Sequence, residues 1–579
     1  MNILGISCYY HDSAAALVQD GKLVSAAHEE RFTRKRHDSD FPMQAIEYCL
    51  REAGISASDL DYIGFYDKPM TKFDRILQTY LATWPKSFPS FFKAMPVWLN
   101  EKMWTPQTIR KKLGYEGPIL FAEHHVSHAA SAFLVSPFEE AAILTLDGVG
   151  EWDTTTYGIG RGTSIELFKT IHFPHSLGLF YSAFTYYLGF KVNSAEYKVM
   201  GLAPYGTPRY YDTIMKHLID LKDDGSFRLN MDYFVYDWAL TMTGRKFARL
   251  FGQPRREQES ALTQFHKDVA ASLQQVTDEV VVKIAKHLHN ETGLANLCMA
   301  GGVALNCVAN SKVLAQTGFQ NVFVQPAAGD AGGALGVAYY IHNTLLGNPR
   351  NSSMDHAFLG PAFSDEEIEA FVQEHQLPVR KLDRSELLST VARLLTDQNV
   401  IGWFQGRMEY GPRALGSRSI LADPRNPENW KRVNLKIKFR ESFRPFAPTI
   451  LEDRLEDYFE FNRPSPFMLF VAQVRDDRRT IPAVTHVDGS ARLQTISRKQ
   501  HGLYYDLIEE FEHQTGCPVV INTSFNVRGE PIVCTPQDAL TCFLRTDMDY
   551  LVLGSYLIEK RAIPAIAGDT SWQKVYELD

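Results

Sequence analysis

Val269, Leu273, Val276, Val280, Ile284 and Leu288 recur at intervals of three or four, the spacing that lays one apolar stripe along an α-helix. On either side of this segment stand two short apolar runs, "AAILTLD" (141–147) and "NVFVQPAAGD" (321–330), which read as buried strands that each end in an aspartate. Strands alternating with helices predict an α/β domain. The first thirty residues have another rhythm: "NILGIS", a polar break at "YYHDSA", "AAALVQ", the Asp20-Gly21 turn and "KLVSAAHEE" predict an antiparallel meander. From Phe65 to Trp104 aromatic residues crowd together, which predicts a helical insertion using them as core, with a lid over a substrate as the second reading. The polar stretch "GNPRNSSMD" (347–355) then reads as a linker, and Ser364 with Glu367 makes a capping box that opens the next helix. Two domains are therefore expected, 1–350 and 360–579. The second reads as strand-rich, through "VIGWFQGRMEYGPRALGSRSI", "NLKIKFRESFRPFAPTI", "PAVTHVDGSARLQTI" and "PVVINTSFNVRGEPIV", with helices such as "YYDLIEEFEHQ" between.

Composition narrows the class. A chain of 579 residues exceeds what one core usually supports, and 45% hydrophobic with 22% charged residues is an ordinary globular balance. The start lacks the basic region of a signal peptide, and no apolar run approaches the length of a membrane span. Seven widely spaced cysteines without a C-x-x-C pair fit a reducing cytoplasm. A net charge of −8 argues against a nucleic-acid partner, since phosphate binding needs a basic face. Between Gly402 and Arg444, however, ten Lys/Arg stand against four Asp/Glu, a local anion site in an acidic protein. If "NLKIKFR" is a strand, Lys436, Lys438 and Arg440 share one face of it and can bind phosphate or carboxylate.

Four further groups carry chemistry. In "EHHVSHAAS" (123–131), His124 and His128 lie four apart and would share one helix face, with His125 turned away. The zinc-protease pattern needs glutamate after the first histidine, and His125 stands there. The strand-end carboxylates Asp147 and Asp330 are the natural further ligands, and two histidines with carboxylates suit iron(II) or manganese(II), less specifically zinc. "MAGGVALNCVAN" (299–310) runs from strand to Gly-Gly turn to helix, so Gly301 and Gly302 allow close backbone approach and Asn306 offers an amide to a sugar or base. Lys198 can neutralise a phosphate. "NTSFN" (522–526) supplies short hydroxyl and amide donors. Neither a P-loop nor a dinucleotide fingerprint is present.

These residues sit within an ordered set of motifs: "HDSAAAL", "EERFTRKRH", "HHVSHAAS", "LDGVGE", "SLGLFYSAFTYYLGF", "KVMGLAPYG", "AGGVALN", "GDAGGALG", "GRMEYGPRALGSRS", "FRPFAP" and "NTSFNVRGEPIV". Through them the chain resembles, over nearly its whole length, the O-carbamoyltransferases of the NodU/CmcH/TobZ type. "FYDKP", "KVNSAEYK" and "NLKIKFRESFRPFAP" make it most similar to the branch containing saxitoxin-pathway O-carbamoyltransferases. The resemblance implies an α/β fold with an actin-like ATPase N-terminal domain, a duplicated RNase H-like unit, followed by a YrdC-like α/β C-terminal domain. It implies that carbamoyl phosphate and ATP, with Mg2+, form carbamoyl adenylate, and that the carbamoyl group then passes to a hydroxyl of a small natural-product acceptor. Residue by residue, His124, His128, Asp147 and Asp330 match the metal ligands, and Gly301, Gly302 and Asn306 the nucleotide loop. Lys438, Arg440, Arg444, Ser524 and Asn526 match the anion pocket of the second domain, which Arg413 and Arg418 join. Where the family reads "RPQT" this chain has "RLQT" (492–495), which keeps Arg492. His11, on the turn after the first strand, is the candidate base for the acceptor hydroxyl, against an equal reading as a turn histidine bonded to backbone.

Three other functions share parts of this pattern. A tRNA threonylcarbamoylation enzyme needs an RNA-binding surface, which the −8 charge disfavours. A hydrogenase-maturation carbamoyltransferase needs cysteine-rich zinc fingers. A non-catalytic ATP-regulated binding protein would bind nucleotide without carbamoyl phosphate-dependent pyrophosphate release. The sequence leaves room for a homodimer.

Overall fold

The computed structural model describes residues 1–441 and 443–563. The chain forms two units, one of Met1–Glu29 with His37–Met354, the other of Glu30–Arg36 with Asp355–Asp579. The short segment Glu30–Arg36, numbered with the first domain by the sequence reading, packs with the second: Arg31 Nη2 donates to Gly411 O at 2.9 Å and Arg34 Nη1 to Ile532 O at 2.7 Å. Among the described residues no helix is long and apolar enough to cross a membrane. All seven cysteines are free and buried.

The first unit contains two five-stranded sheets built to one plan. In the first, β1 (Asn2–Ser7), β2 (Ala14–Gln19) and β3 (Lys22–His28) form the expected antiparallel meander, and β4 (Tyr62–Phe65) and β5 (Ile119–Phe121) extend it parallel to β1, in the order β3-β2-β1-β4-β5. In the second, β6 (Glu140–Leu146), β7 (Asp153–Arg161) and β8 (Ser164–His172) form another antiparallel meander. A short hairpin of β9 (Ile219–Leu221) and β10 (Phe227–Leu229) intervenes. β11 (Asn296–Ala300) and β12 (Asn321–Val324) then extend the second sheet parallel to β6. Its order, β12-β11-β6-β7-β8, is the first sheet read from the other end. This is the duplicated RNase H-like arrangement of the actin-like fold. The helix Gln264–Thr292 buries Val269, Leu273, Val276, Val280, Ile284 and Leu288, all at most 2% exposed, which are the positions whose spacing predicted it.

The helix after each fifth strand leaves its own sheet. His124–Phe133 follows β5 but packs on β6 and β11, while Asp330–Tyr339 follows β12 but packs on β1 and β2, and the two helices lie against each other. Glycine permits this: a Cβ on Gly336 would stand 1.9 Å from Ser127 O of the facing helix, and one on Gly5 of β1 would stand 1.8 Å from Ala334 O. Asp330 is not the end of a strand as expected. β12 stops at Val324, and Asp330 opens the helix, because the "QPAAG" turn intervenes.

The aromatic insertion is helical, Pro69–Ala82 and Phe88–Asn100, yet its aromatics are only partly core. Trp98 is buried, whereas Trp84, Phe88, Phe92 and Trp104 are 51–72% exposed. Pro69–Ala82 is amphipathic in the reverse sense: it buries Lys72 and Arg75 and exposes Met70 and Leu81.

The second unit is built on one nine-stranded mixed sheet. Its strands are β13 (Val379–Lys381), β14 (Ile401–Phe404), β15 (Arg418–Ala422), β16 (Ala447–Leu451), β17 (Phe470–Gln473), β18 (Ser490–Ile496), β19 (Val519–Ser524), β20 (Tyr550–Leu553) and β21 (Tyr556–Glu559), in the order β13-β21-β20-β14-β15-β19-β16-β18-β17. Helices Arg384–Thr396 and Leu503–Thr515 pack together, and the capping box of Ser364 and Glu367 forms as expected. "NLKIKFR" is not a strand. The helix Pro427–Arg432 continues into a wide turn, Val433–Ile437, so Lys436 faces solvent near Asp547 while Lys438 is buried, and they share no face.

Because Gly336 lies at the helix contact, Gly336→Ala should cost about 1–3 kcal/mol, the usual penalty for overpacking. Thermal or urea unfolding of the purified variant measures this, and Gly329→Ala, at φ −71° with nothing within 4 Å of the added Cβ, is the control that adds a methyl without a clash.

Candidate active site

His124 and His128 sit on the first turns of their helix, Asp147 follows β6 directly and Asp330 is the first residue of the facing helix. One ligand atom from each lies within 4.8 Å of all the others. His124 Nε2 stands 3.1 Å from His128 Nε2, 3.1 Å from Asp147 Oδ2 and 3.6 Å from Asp330 Oδ1. All four side chains are buried. Burial pushes the pKa of His128 well down, aided by His124, so its imidazole is neutral. Burial opposes charge on His124 too, but the hydrogen bond to Asp147 and the field of Asp330 outweigh it and raise its pKa. Burial would also raise Asp147, yet the histidines hold it well below the usual carboxylate range. Burial raises Asp330. Two imidazole nitrogens and two carboxylate oxygens that converge at a buried point are a donor set for a divalent cation.

The surroundings brace the quartet. Asp147 Oδ1 accepts from Gly302 N at 2.9 Å, and Tyr66 Oη donates to Asp330 Oδ2 at 3.4 Å. Glu151 accepts from His124 N at 3.1 Å and from Lys68 N at 2.7 Å, which caps the helix that carries both histidines. His125 is apart: its Nδ1 meets Thr145 Oγ1 at 2.6 Å, and burial pulls its pKa to about 3. His11 takes part in a relay. Its Nδ1 donates to Asp12 Oδ2 at 2.9 Å, the other oxygen of Asp12 receives His37 Nδ1 at 2.8 Å, and His37 Nε2 meets Ser194 Oγ at 2.9 Å. The histidine of the turn is thus held by a carboxylate rather than by backbone.

Gly301 adopts φ +91°, and a Cβ there would lie 2.2 Å from Leu146 O, so the turn after β11 needs glycine. Asn306 differs from expectation: its Oδ1 caps the helix Cys307–Gln316 by accepting from Ala309 N, and its amide pairs with Gln274. Gln274 in turn donates to Asp278, which pairs with Lys312 at 2.7 Å. Lys198 is wholly buried, with its ammonium 5.7 Å from the centre of the Phe190 ring.

In the second unit Lys438 Nζ donates to Ser524 O and Asn526 O, each at 2.7 Å, with Asn526 Oδ1 also in contact, and Ser524 Oγ donates to Asn526 Oδ1. Burial, then Arg440 and Arg444, push the Lys438 pKa well down. Lys438, Arg440, Arg444, Ser524 and Asn526 therefore form one neighbourhood. Arg418 is a correction: wholly buried and stacked 3.7 Å from the Phe404 ring centre, it donates to the carbonyls of Gln405, Gly406 and Pro361, because a buried guanidinium needs acceptors and the chain supplies its own. Arg413 is half-buried on a loop that Glu409 pins by accepting from Leu415 N, Ser417 N and Arg418 N. Arg492 lies on β18 opposite Val471, two residues from Gln494, which joins Thr449 and Asn522 in a buried polar ladder.

Sequence reasoning missed Asp12, His37, Tyr66, Glu151, Gln274 and Asp278. Gln274 and Asp278 had a signal: polar residues four apart within the buried half of an otherwise apolar helix.

Two family descriptions match, Carbamoyltransferase N-terminus over residues 2–339 and Carbamoyltransferase C-terminus over residues 392–560. Protein sll1178 of Synechocystis sp. is 54% identical, covering 100% of both chains, and the nodulation protein NolNO of Sinorhizobium fredii is 39% identical, covering 98% of this chain and 81% of that one. Nodulation protein U of Rhizobium fredii is 31% identical over 92% of this chain and 90% of its own. Among solved structures, HypF of T. kodakarensis aligns with 60% of this chain and 48% of its own at 15% identity and a TM-score of 0.31, too loosely to bear on the chemistry. Both domains of the family in one chain, together with relatives matched along its length, establish that the protein belongs to the carbamoyltransferase family and is a carbamoyl-transferring enzyme.

Proposed function

We propose that the chain is an ATP-dependent O-carbamoyltransferase working in two half-reactions, one in each unit. Carbamoyl phosphate gives up phosphate to water. The carbamate oxygen then attacks the α-phosphorus of ATP, held with Mg2+, to form carbamoyl adenylate and pyrophosphate. An acceptor hydroxyl of a small natural product next attacks the carbamoyl carbon, releasing AMP and leaving the O-carbamate. The observation that carries this reading is the buried quartet His124, His128, Asp147 and Asp330, in a chain whose other unit gathers Lys438, Arg440 and Arg444.

The second unit suits activation. Negative charge builds as carbamate meets ATP, and fixed cations stabilise it without reorganising at the moment of reaction. Arg440 is braced for this by Asn434, whose Oδ1 accepts from its Nε at 2.7 Å. Arg413 and Arg492 complete this group as proposed contacts. The first unit suits transfer. Its Gly301-Gly302 turn lets a nucleotide approach the backbone, with Asn306 shaping that turn as a cap and the buried Lys198 as the residue to neutralise a phosphate. A divalent ion held by the quartet, iron(II) by its donor set with manganese(II) or zinc(II) as alternatives, would act as a Lewis acid on the leaving adenylate.

His11 is the proposed group for the acceptor proton, and Asp12 positions it. Burial works against charge on His11, but Asp12, with help from Asp330 and Asp147, pushes its pKa up to about 10. In the unloaded protein it is therefore imidazolium at neutral pH; a cation on Asp330 and Asp147 would remove the smaller part of that shift, and Asp12 supplies the larger.

Two outcomes test this reading. Arg440→Ala should abolish carbamoyl phosphate-dependent ATP–pyrophosphate exchange, whereas His128→Ala and Asp330→Ala should keep exchange and lose transfer; loss of the same step in both classes rules out the two-site assignment. The second concerns pH. A folded pKa raised above the unfolded value of about 6.5 contributes stability that is complete below that pH and is lost as pH rises through about 10. Urea unfolding of the metal-free protein from pH 6 upward should record this decline, and Asp12→Asn should flatten it.

A further inference from the structure

The helix Pro69–Ala82 turns two cations inward, and they are not in the same condition. Lys72 is satisfied: its Nζ donates to Asp67 Oδ2 at 2.8 Å and lies 5.5 Å and 5.8 Å from the ring centres of Tyr10 and Tyr66. Tyr66 reaches on to Asp330, so Lys72 borders the quartet. Arg75, one turn further along the same face, is 7% exposed and its Nε is buried without a partner. Among the described residues its guanidinium makes no hydrogen bond or ion pair, and its one contact of note is the face of Phe173, 5.0 Å away.

Such a residue is anomalous in a folded interior. Buried guanidinium groups are paired, because an unpartnered charge loses its hydration and gains nothing in return. Arg418 of this same chain illustrates the ordinary outcome: both of its terminal nitrogens donate to carbonyls, whereas those of Arg75 donate to none. The carboxylates near Arg75 are already engaged, Asp67 by Lys72 and Glu151 by the backbone of Lys68 and His124, and the remaining groups facing it, Tyr10 and Tyr80, carry no charge at neutral pH. Burial pulls the Arg75 pKa down only to about 10, so it stays cationic. A fork of donors with an aromatic floor, one turn of helix beyond a lysine at the edge of the quartet, is built for an oxyanion.

We propose that Arg75, flanked by Lys72 and floored by Phe173, is the recognition site for an oxyanion, a carboxylate, sulfate or phosphate, carried by the hydroxyl acceptor. This rests on the first unit being the site of transfer. It narrows the acceptor to an anionic small molecule whose charged group is separated from the reacting hydroxyl by about the reach from Arg75 to the quartet.

The test uses crystals of the full, metal-loaded chain soaked in low-millimolar selenate, with anomalous scattering to locate the ion. A selenium peak within hydrogen-bond reach of the Arg75 guanidinium is expected, kept in Arg75→Lys and lost in Arg75→Met. The Arg75→Met protein should keep carbamoyl phosphate-dependent pyrophosphate release. With AMP present the peak should remain. No peak at Arg75, or a peak that persists in Arg75→Met, overturns the proposal, and displacement of selenate by AMP overturns it by assigning the anion to the nucleotide instead of the acceptor. Absence of pyrophosphate release in the parent protein would strike the activation chemistry while leaving the anion result standing.

Discussion

The contact between the helices His124–Phe133 and Asp330–Tyr339 sets the geometry on which the candidate site depends. Each helix deserts the sheet it grew from and lies on the other, so their first turns converge from opposite halves of the duplicated unit. Gly336 lets the backbones approach to a distance that no other residue permits. The quartet thus draws a ligand from each half, and its spacing is fixed by backbone packing instead of by flexible loops.

That convergence has an electrostatic side. Two helix N-termini, each with a partial positive charge, aim at one pocket, an arrangement that by itself attracts anions. Asp147 and Asp330 reverse the local sign, and Glu151 spends its charge on the amide of His124. The pocket therefore sets two imidazoles and two carboxylates among helix N-termini, so charges of both signs meet within it.

Much of this was legible in the sequence. The i, i+4 spacing of His124 and His128 placed both on one face, the long helix followed from its apolar stripe, and the motifs named the family. What failed had physical reasons. "NLKIKFR" alternates like a strand, but the preceding Asn-capped turn had already started a helix, and the alternation was absorbed by a wide helical turn. Asp330 was taken for a strand end because apolar "NVFV" ran towards it, whereas the "QPAAG" turn broke the strand first. Arg418 looked like an anion ligand by the basic composition of its segment and by the motif match; only three dimensions reveal that carbonyls from Gln405, Gly406 and Pro361 enclose it. Asp12, His37 and Ser194 lie far apart in the chain, so no window of sequence brings their relay together.

The duplication also left an asymmetry. Directly after β4 stands Tyr66, wholly buried, its ring 5.3 Å from that of His124, while directly after β11, the matching strand of the second sheet, stands Gly301, with no side chain at all. Likewise Cys8 follows β1 where Asp147 follows β6. The two sheets share one plan but not one chemistry: at these positions the first offers a buried ring and a thiol, the second a bare backbone and a carboxylate. The two matching strand ends are therefore not interchangeable: one supplies a carboxylate to the quartet, the other a buried thiol.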